Sequence, residues 1–353
     1  MKKLLAIVLA LVMILSLTAC GKAPAAEAPK ADAPAAEAPK AEAPKNDFSM
    51  TLKFGFANNA TDPASIALSE MCDRVTERTG GALKMEFYPN NELGAIAEVA
   101  ELIQQGANVI TTCSADFLAD YCPDHAALNG AYLYDSWQDM QIVAKSDWYA
   151  GLKEQLDSNN IHVLFFGWNG GHRHMISTFP INTPEDLIGK NARVSGGLMF
   201  VEMFKAFGAS PVTLPWSEVY QGLQQGIVEI AEAPLFTFNA SSLQEVGDYV
   251  TLTSHIICAD TIFMNTELFN QIPAEYQEIL LEEVANTVMA YNATVDANEA
   301  AAMEKMKADG VQFIELTAEQ RAEFAEACKA MYTNISTFSP GVYDTIRGII
   351  EAG

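Results

Sequence analysis

Two arginines near the middle of the chain, Arg173 and Arg193, are the side chains best suited to hold an anion. Only six arginines occur among 353 residues, and the formal net charge is −24. A guanidinium group binds a carboxylate through two parallel hydrogen bonds in a fixed geometry. A cleft arginine keeps this ability in an acidic chain, because distant carboxylates are screened over roughly 8–10 Å. We therefore interpret Arg173 and Arg193 as contacts for an anionic ligand.

The residues before Arg193 predict a structure that presents its side chain. Thr183 suits a helix N-cap, Pro184 suits the first helical position, and Gly189 suits the end of that helix. A short strand, Asn191–Val194, follows and carries Arg193. Because α/β sheets bind ligands beyond the carboxyl ends of their strands, we expect Arg193 to face the ligand. The alternative is a salt bridge between domains.

Two histidines flank Arg173 and raise the question of a metal site. His172 and His174 would point to the same face of a strand, where they could share a metal ion. A third ligand at a suitable spacing is missing from the sequence, since His162 and His255 are remote. We predict no metal site, and a solvated surface loop is the alternative setting for Arg173.

The composition and motifs exclude several classes of function. A net charge of −24 opposes binding to nucleic acid. The sequence lacks the G-x-S-x-G elbow, the P-loop, the dinucleotide-binding G-x-G-x-x-G motif and H-E-x-x-H. We therefore predict no catalytic residues and no cofactor. Beyond position 20 the cysteines are odd in number, and their oxidation state and the oligomeric state stay open: Cys72, Cys113, Cys122, Cys258 and Cys328.

The N-terminus has the features of a bacterial lipoprotein signal. In residues 1–20 a basic start precedes an apolar run that is shorter than the roughly 20 residues of a membrane span. Small residues before Cys20 and a glycine after it resemble a lipoprotein processing site, which implies lipidation of the Cys20 thiol. An ordinary signal peptide cut after Ala19 is the alternative. The Ala/Pro/Glu/Lys repeats of 21–47 predict an extended tether, so the protein would be extracytoplasmic and lipid-anchored to the cell membrane.

The remaining chain alternates between strand and helix patterns. Strands are predicted at 51–56, Leu83–Tyr88, 108–112 and 161–168, with helices at 63–79, 95–105 and 202–207. This alternation predicts a mainly parallel sheet with helices on its faces. The pattern E-V-x4-Q-Q-G-x3-I at 98–110 recurs at 218–230, which suggests two lobes built on one plan.

A long segment near the C-terminus predicts a single helix. Residues 273–309 contain no proline or glycine after the first position, so the helix would measure roughly 54 Å at 1.5 Å per residue. Such a helix is long enough to run across both lobes. The alternative is a break near Asn292 or Asn298.

Taken in order, the motifs resemble those of the extracytoplasmic solute-binding proteins of tripartite ATP-independent periplasmic (TRAP) transporters, which include dicarboxylate and sialic acid binders. The resemblance covers about residues 50–335. Its motifs are Leu52-Lys53-Phe54-Gly55, Asn91-Glu92-Leu93-Gly94, the stretch 180–194, Ser217-Glu218-Val219-Tyr220 and Glu232-Ala233-Pro234.

This resemblance implies an α/β, two-lobed periplasmic-binding-protein-like fold with the long helix spanning both lobes. Lobe I would take 48–168 plus about 255–298, and lobe II would take 169–254 plus about 299–353.

The resemblance also assigns roles in the site. Arg193 falls on the family's carboxylate-clamping arginine, and Arg173 falls on a second one, although a one-residue slip would place His172 there. Trp216 would stack on the ligand, with core packing as the alternative. The family's usual asparagine is replaced by Ala233, which hints at an apolar or aromatic acid. The other predicted substrate-binding residues are Asn169, Glu232, Trp168, Phe236, Ser114 and Asn58.

We therefore expect a binding protein that captures a small carboxylate and delivers it to the integral membrane subunits of a TRAP-type transporter. Three alternatives remain at this stage. The chain could serve an ATP-driven importer, act as an extracytoplasmic enzyme on an organic acid, or pass its ligand to a receptor as a tethered sensor.

Overall fold

Strands and helices alternate along residues 47–353, the part of the chain that the computed structural model describes. The strands are β1 Met50–Gly55, β2 Leu83–Tyr88, β3 Val109–Ser114, β4 Ile161–Ser177, β5 Asn191–Val194, β6 Ser210–Thr213, β7 Ile230–Ala233, β8 Tyr249–Asn265 and β9 Gln312–Ile314. The helices are α1 Pro63–Arg78, α2 Ile96–Gln104, α3 Pro123–Ala126, α4 Trp137–Ala144, α5 Asp147–Ser158, α6 Leu198–Ala206, α7 Val219–Gln224, α8 Leu235–Ala240, α9 Thr266–Gln271, α10 Ala274–Asn292, α11 Val295–Ala308, α12 Ala318–Cys328, α13 Met331–Asn334 and α14 Val342–Ala352.

The predicted signal segment 1–20 with Cys20, and the tether 21–47 except for Asp47, lie outside the described residues. Within 47–353, none of the helices combines the length and the apolar character needed to span a membrane.

One mixed sheet, in the order β2-β1-β3-β8-β4-β7-β5-β6, organises the fold, and β9 pairs with β8. The pairs made by β1 and by β5 are parallel, as predicted, whereas β8 is antiparallel to β3 and to β4. Side chains alternate between the two faces: Phe263 joins one buried cluster, and its neighbours Ile262 and Met264 join the other. Both faces are covered by helices, so the predicted α/β class is confirmed.

The long strands β4 and β8 connect two halves of this sheet. We define the first half as β1, β2 and β3 with residues 161–168 and 260–265 of the long strands. The second half comprises β5, β6, β7 and β9 with 169–177 and 249–259. The predicted strand 161–168 was shorter than the observed β4, which continues to Ser177. Bulges at Gly167 (φ 90°) and Gly171 (φ 97°) shift the register but do not end the strand.

The repeated E-V-x4-Q-Q-G-x3-I pattern produces the same local structure in each half. α2 is followed by Gly106 (φ 96°) and then β3, and α7 is followed by Gly226 (φ 69°) and then β7. A glycine suits both positions because other residues rarely adopt a positive φ. The matching helix–glycine–strand units agree with the prediction of one plan used twice.

The stretch before β5 forms a shorter turn than predicted. Pro184–Leu187 is a single 3-10 turn rather than an α-helix. Its Asp186 carboxylate accepts hydrogen bonds from the backbone N–H groups of Asn182 (2.8 Å) and Thr183 (3.1 Å). Gly189 ends the turn at φ 73°, and its N–H donates to the carbonyl of Gly208 (2.9 Å), which turns the chain directly into β5.

The predicted 273–309 helix is divided into α10 and α11 by a turn at Ala293 and Thr294. The prediction of one continuous helix was therefore wrong, and the alternative break near Asn292 is correct. The Asn292 side chain accepts from the N–H of Asn169 (2.9 Å) and donates to the carbonyl of Gly167 (3.0 Å). The break in the helix is thus hydrogen-bonded to the bulged centre of β4.

We predict that Asn292→Ala lowers the free energy of unfolding by about 1–3 kcal/mol. The substitution leaves the buried N–H of Asn169 unpaired, which costs about that much, whereas the Gly167 carbonyl still accepts from Gln141 (3.1 Å). Urea denaturation measures the change. Asn298→Ala is the matched control and should change stability by less than about 0.5 kcal/mol, because its amide only reaches Thr294 in an exposed setting. Equal effects of the two substitutions would contradict a connecting role for Asn292.

Candidate ligand-binding site

A cavity of about 90 Å³ lies where the two halves of the sheet meet. Its wall includes polar groups from both halves and a large share of aromatic rings. Seven of the nine sequence-predicted substrate-binding residues line it, namely Arg193, Arg173, Trp216, Trp168, Phe236, Ser114 and Asn58. The fold therefore brings together residues that are far apart in sequence.

Arg193 is buried beside this cavity and has no carboxylate partner. Its exposed fraction is 3 %, and within residues 47–353 its guanidinium makes no ion pair closer than 4.0 Å. The Nε donates to the carbonyl of Leu214 (3.0 Å), and the guanidinium carbon lies 5.0 Å from the ring centre of Trp216. Burial lowers the pKa of Arg193 to about 10, which leaves the group charged at neutral pH. A buried cation beside a cavity favours an anion from outside.

Arg173 reaches the same cavity but is paired within the protein. Its Nε and Nη2 donate to the two carboxylate oxygens of Glu232, and Nη2 also donates to the Glu232 carbonyl (3.0 Å). Burial opposes both charges, but each partner stabilises the other, so the pKa of Arg173 is raised and that of Glu232 is lowered. His255 Nε2 lies 3.4 Å from Glu232 as a further neighbour. The charge of Arg173 is thus already neutralised, and its remaining Nη1 faces the cavity side near Cys258.

We predict that Glu232→Met destabilises the protein by about 3–5 kcal/mol, because it leaves the Arg173 charge buried and unpaired. The double variant Arg173→Met/Glu232→Met should regain most of this loss, since two apolar side chains replace the pair. Denaturant unfolding of the two single variants and the double variant gives the coupling energy. A double variant as unstable as the sum of the single changes would show that the pair is not coupled.

Two tryptophans and a phenylalanine form part of the wall. Trp168 stacks on Tyr291, with ring centres 4.6 Å apart. The Trp216 indole N–H donates to Ser241 Oγ (2.9 Å), which fixes the ring that lies against Arg193. Phe236 is buried on α8. Trp216 therefore packs in the core and also borders the cavity, and its stacking on a ligand stays a prediction.

Two predicted site residues are not among the lining residues. Glu232 lies behind Arg173 as its partner. The Asn169 side-chain oxygen accepts from the N–H of Gly171 (3.0 Å), so it supports the β4 bulge. His172 is absent from the cavity wall, and its Nδ1 is hydrogen-bonded to Ser254 Oγ (3.0 Å). The alternative alignment that placed His172 at the ligand is therefore not supported by the geometry.

His174 also faces away from the cavity, and its Nδ1 accepts from the N–H of Ser254 (3.1 Å). Across residues 47–353, histidine, cysteine and acidic side chains do not gather in groups of three or more suited to a metal ion. All five cysteines beyond Cys20 are buried free thiols in the structure.

Sequence reasoning missed Asp260, Cys258, Ser195 and Phe200, which also line the cavity. Asp260 lies on β8 opposite Trp168 and Ser114 of the neighbouring strands. Its signal in the sequence is a single acidic residue within the long apolar strand pattern of 256–264, which has no motif around it. Burial raises the pKa of Asp260 to about 6.

The loop between β1 and α1 is hydrogen-bonded to α8 across the cavity. Asp62 Oδ2 accepts from Asn58 Nδ2 (3.0 Å) and from Thr237 Oγ1 (3.0 Å), and Asn59 Nδ2 donates to the carbonyl of Ala240 (2.7 Å). Because Asn58 and Thr237 line the cavity, these bonds connect the wall of the first half with that of the second half.

Asp62 should make stability depend on pH. Burial raises its pKa from 3.8 to about 6, so the folded state binds a proton more tightly than the unfolded chain does. The resulting stabilisation is complete below about pH 4 and is lost as the pH rises through 6, with a size of about 3 kcal/mol. We predict that Asp62→Asn lacks this component, so the difference between the unfolding free energies of the wild type and the variant changes by about 3 kcal/mol over pH 4–7.

The measurement is urea unfolding of both proteins at each pH. Asp73→Asn is the control, because Asp73 lies exposed on α1, the helix whose N-terminus Asp62 caps. Parallel stability curves for the wild type and Asp62→Asn would contradict the assignment.

The comparisons with known proteins agree with this fold. The model of the family described as bacterial extracellular solute-binding protein, family 7 (DctP), matches residues 54–337. The C4-dicarboxylate-binding periplasmic protein DctP of Rhodobacter capsulatus is 25% identical over 292 residues, which cover 81% of this chain and 86% of that protein.

Two crystal structures are also similar. A TRAP periplasmic solute-binding protein from Ochrobacterium anthropi with bound L-fuconate has 28% identity and a TM-score of 0.81, and the match covers 86% of this chain and 99% of that one. A TRAP periplasmic solute-binding protein from Actinobacillus succinogenes 130Z with bound L-galactonate has 26% identity and a TM-score of 0.83. That match covers 86% and 100% of the two chains.

The fold and the cavity define a two-lobed α/β solute-binding protein. The chain belongs to family 7 of the bacterial extracellular solute-binding proteins, the periplasmic binding proteins of TRAP transporters. The predicted family is therefore confirmed, and its members are binding proteins rather than enzymes.

Proposed function

We propose that this protein captures an organic acid by pairing the ligand carboxylate with Arg193, and that it delivers the acid to the integral membrane subunits of a TRAP-type secondary transporter. The observation that carries the proposal is the buried guanidinium of Arg193, which borders the cavity and lacks an ion-pair partner within residues 47–353. The ligands named for the related proteins, L-fuconate, L-galactonate and C4-dicarboxylates, are all organic acids and support this class.

The two arginines differ in their partners, and this difference supports carboxylate binding by Arg193 alone. Glu232 already occupies the forked face of Arg173, whereas the forked face of Arg193 is not taken by a carboxylate. Arg193 is therefore the arginine that can form a bidentate ion pair with the ligand carboxylate. Arg173 contributes a hydrogen-bond donor, Nη1, and the aromatic wall packs against the carbon skeleton.

Residues on both sides of the cavity support capture by closure. Lobe I would comprise 48–168 plus about 255–298, and lobe II 169–254 plus about 299–353. They would close over the acid by a hinge motion. Lipidation of Cys20 and the tether 21–47 would keep the protein at the outer face of the cell membrane or in the periplasm, within reach of its transporter. Family membership argues against the importer, enzyme and sensor alternatives.

We predict that Arg193→Met weakens carboxylate binding by tens to thousands of fold, because truncating one member of a desolvated charge pair costs about 2–5 kcal/mol. The same change should leave the melting temperature of the ligand-free protein unchanged or raised, since it removes a buried cation that lacks a counter-charge. Calorimetry on full-length protein with a panel of organic acids, together with thermal melts, measures both effects.

Arg321→Ala provides the matched control. Arg321 also lacks an ion pair in the described chain, but it lies outside the cavity and donates to the carbonyls of Thr253 (2.9 Å) and Ser254 (3.3 Å). Its removal should leave affinity unchanged. Unaltered affinity in Arg193→Met would show that Arg193 does not bind the ligand carboxylate. A large loss of stability in the ligand-free variant would show that Arg193 serves to stabilise the fold.

A further inference from the structure

The cavity has a second polar group at the end contributed by the first half of the sheet. Asp260 projects there from β8, whereas Arg193 lies on β5 in the second half. Two strands, β4 and β7, separate their backbones in the sheet. An acid whose carboxylate meets Arg193 therefore presents its opposite end to Asp260.

Asp260 has acceptor capacity that the protein leaves open. Its Oδ1 accepts from the Cys258 thiol (3.0 Å), and within residues 47–353 its carboxylate forms no ion pair within 4.0 Å. The other oxygen, Oδ2, faces Gly170. Any other residue at position 170 would place its Cβ atom 2.9 Å from this oxygen. Glycine at 170 thus keeps the approach to Oδ2 free of a side chain.

At the cavity, Arg173 is paired with Glu232, whereas Arg193 and Asp260 form no ion pair within residues 47–353. Arg173 and Arg193 are cationic, and Glu232 and ionised Asp260 are anionic. Asp116 adds a further buried acidic group whose pKa is raised to about 6. One ligand carboxylate can be accepted at Arg193, but a second one at the far end would meet Asp260 and an arginine, Arg173, whose charge is already paired with Glu232.

The chemistry at Asp260 also limits which donor fits. Against the effect of burial, Arg173 lowers the pKa of the Asp260 carboxyl, which favours the ionised form, and an ionised carboxylate can only accept hydrogen bonds. A ligand hydroxyl can donate to Oδ2. The rings of Trp168 and Phe236 offer apolar faces for the C–H groups of a hydroxylated chain.

We propose that Asp260 selects hydroxylated monocarboxylates, by accepting a hydrogen bond from a ligand hydroxyl, and discriminates against dicarboxylates. This inference rests on the proposed clamp at Arg193. It also replaces the apolar or aromatic acid suggested by Ala233 with a polar ligand class.

The test compares acids that differ only at the far end. Galactonate and galactarate share a carbon chain and its hydroxyls, but galactarate has a second carboxylate in place of the terminal hydroxymethyl group. Threonate and tartrate form the equivalent four-carbon pair, and hexanoate lacks hydroxyl donors. Calorimetry on the full-length wild-type protein should give at least about tenfold tighter binding of the monocarboxylate in one pair or both, and weaker binding of hexanoate.

Asp260→Asn should reverse this preference. The amide removes the negative charge and can donate to a second carboxylate, so the ratio of monocarboxylate to dicarboxylate affinity should fall by about 100-fold. Asp260→Ser, which is smaller and uncharged, should shift the ratio in the same direction. Asp120→Asn, an exposed aspartate outside the cavity, should leave the ratio unchanged.

The outcomes separate this inference from the clamp. A wild type that binds galactarate, tartrate or hexanoate most tightly, or a ratio that both Asp260 variants leave unchanged, overturns the role of Asp260. If binding in those cases still disappears in Arg193→Met, the clamp stands. Binding that persists in Arg193→Met overturns the clamp, and failure of the wild type to bind any of these acids contradicts both proposals.

Discussion

A guanidinium group that is buried without a counter-anion is the constraint around which this site is built. Removing Arg193 from water disfavours its charge, and the surroundings offset this only in part, through one carbonyl and the face of one indole ring. The protein therefore keeps a buried cation without an ion-pair partner in the described residues, which the proposed carboxylate ligand would supply. The position of Arg193 on β5, inside the second half of the sheet, holds this cation against the cavity.

The second arginine shows the opposite arrangement on the same wall. Glu232, on the strand beside β4, accepts from two nitrogens of Arg173, and the two charges cancel. This pair fixes the guanidinium without attracting a further anion. Two arginines that look equivalent in the sequence thus have different electrostatic roles. The strand that carries Glu232, β7, lies between β4 and β5, but the Glu232 carboxylate pairs with Arg173 and not with Arg193.

Local signals in the sequence predicted much of this structure. The strand that carries Arg193 has the predicted bounds, and the glycines at 106 and 226 end their helices as expected. Pairings between distant segments were not predictable: a single acidic residue at 232 or 260 does not reveal which strand will lie beside it. The helix break after Asn292 shows the same limit, because the hydrogen bonds of Asn292 join it to the centre of β4, which is far away in the sequence.

Coupling of capture to closure requires contacts on both sides of the cavity. A ligand shifts a conformational equilibrium only by the difference between its affinities for the two states. An acid held by Arg193 alone would gain nothing from the approach of the other half. Asn58, Ser114 and Asp260 lie on that other half, and Asn58 is bonded through Asp62 to Thr237 on α8. Under the proposed clamp, contacts at the far end of the ligand are therefore the ones that would favour a closed cleft, and the proposed selection would depend on the same groups.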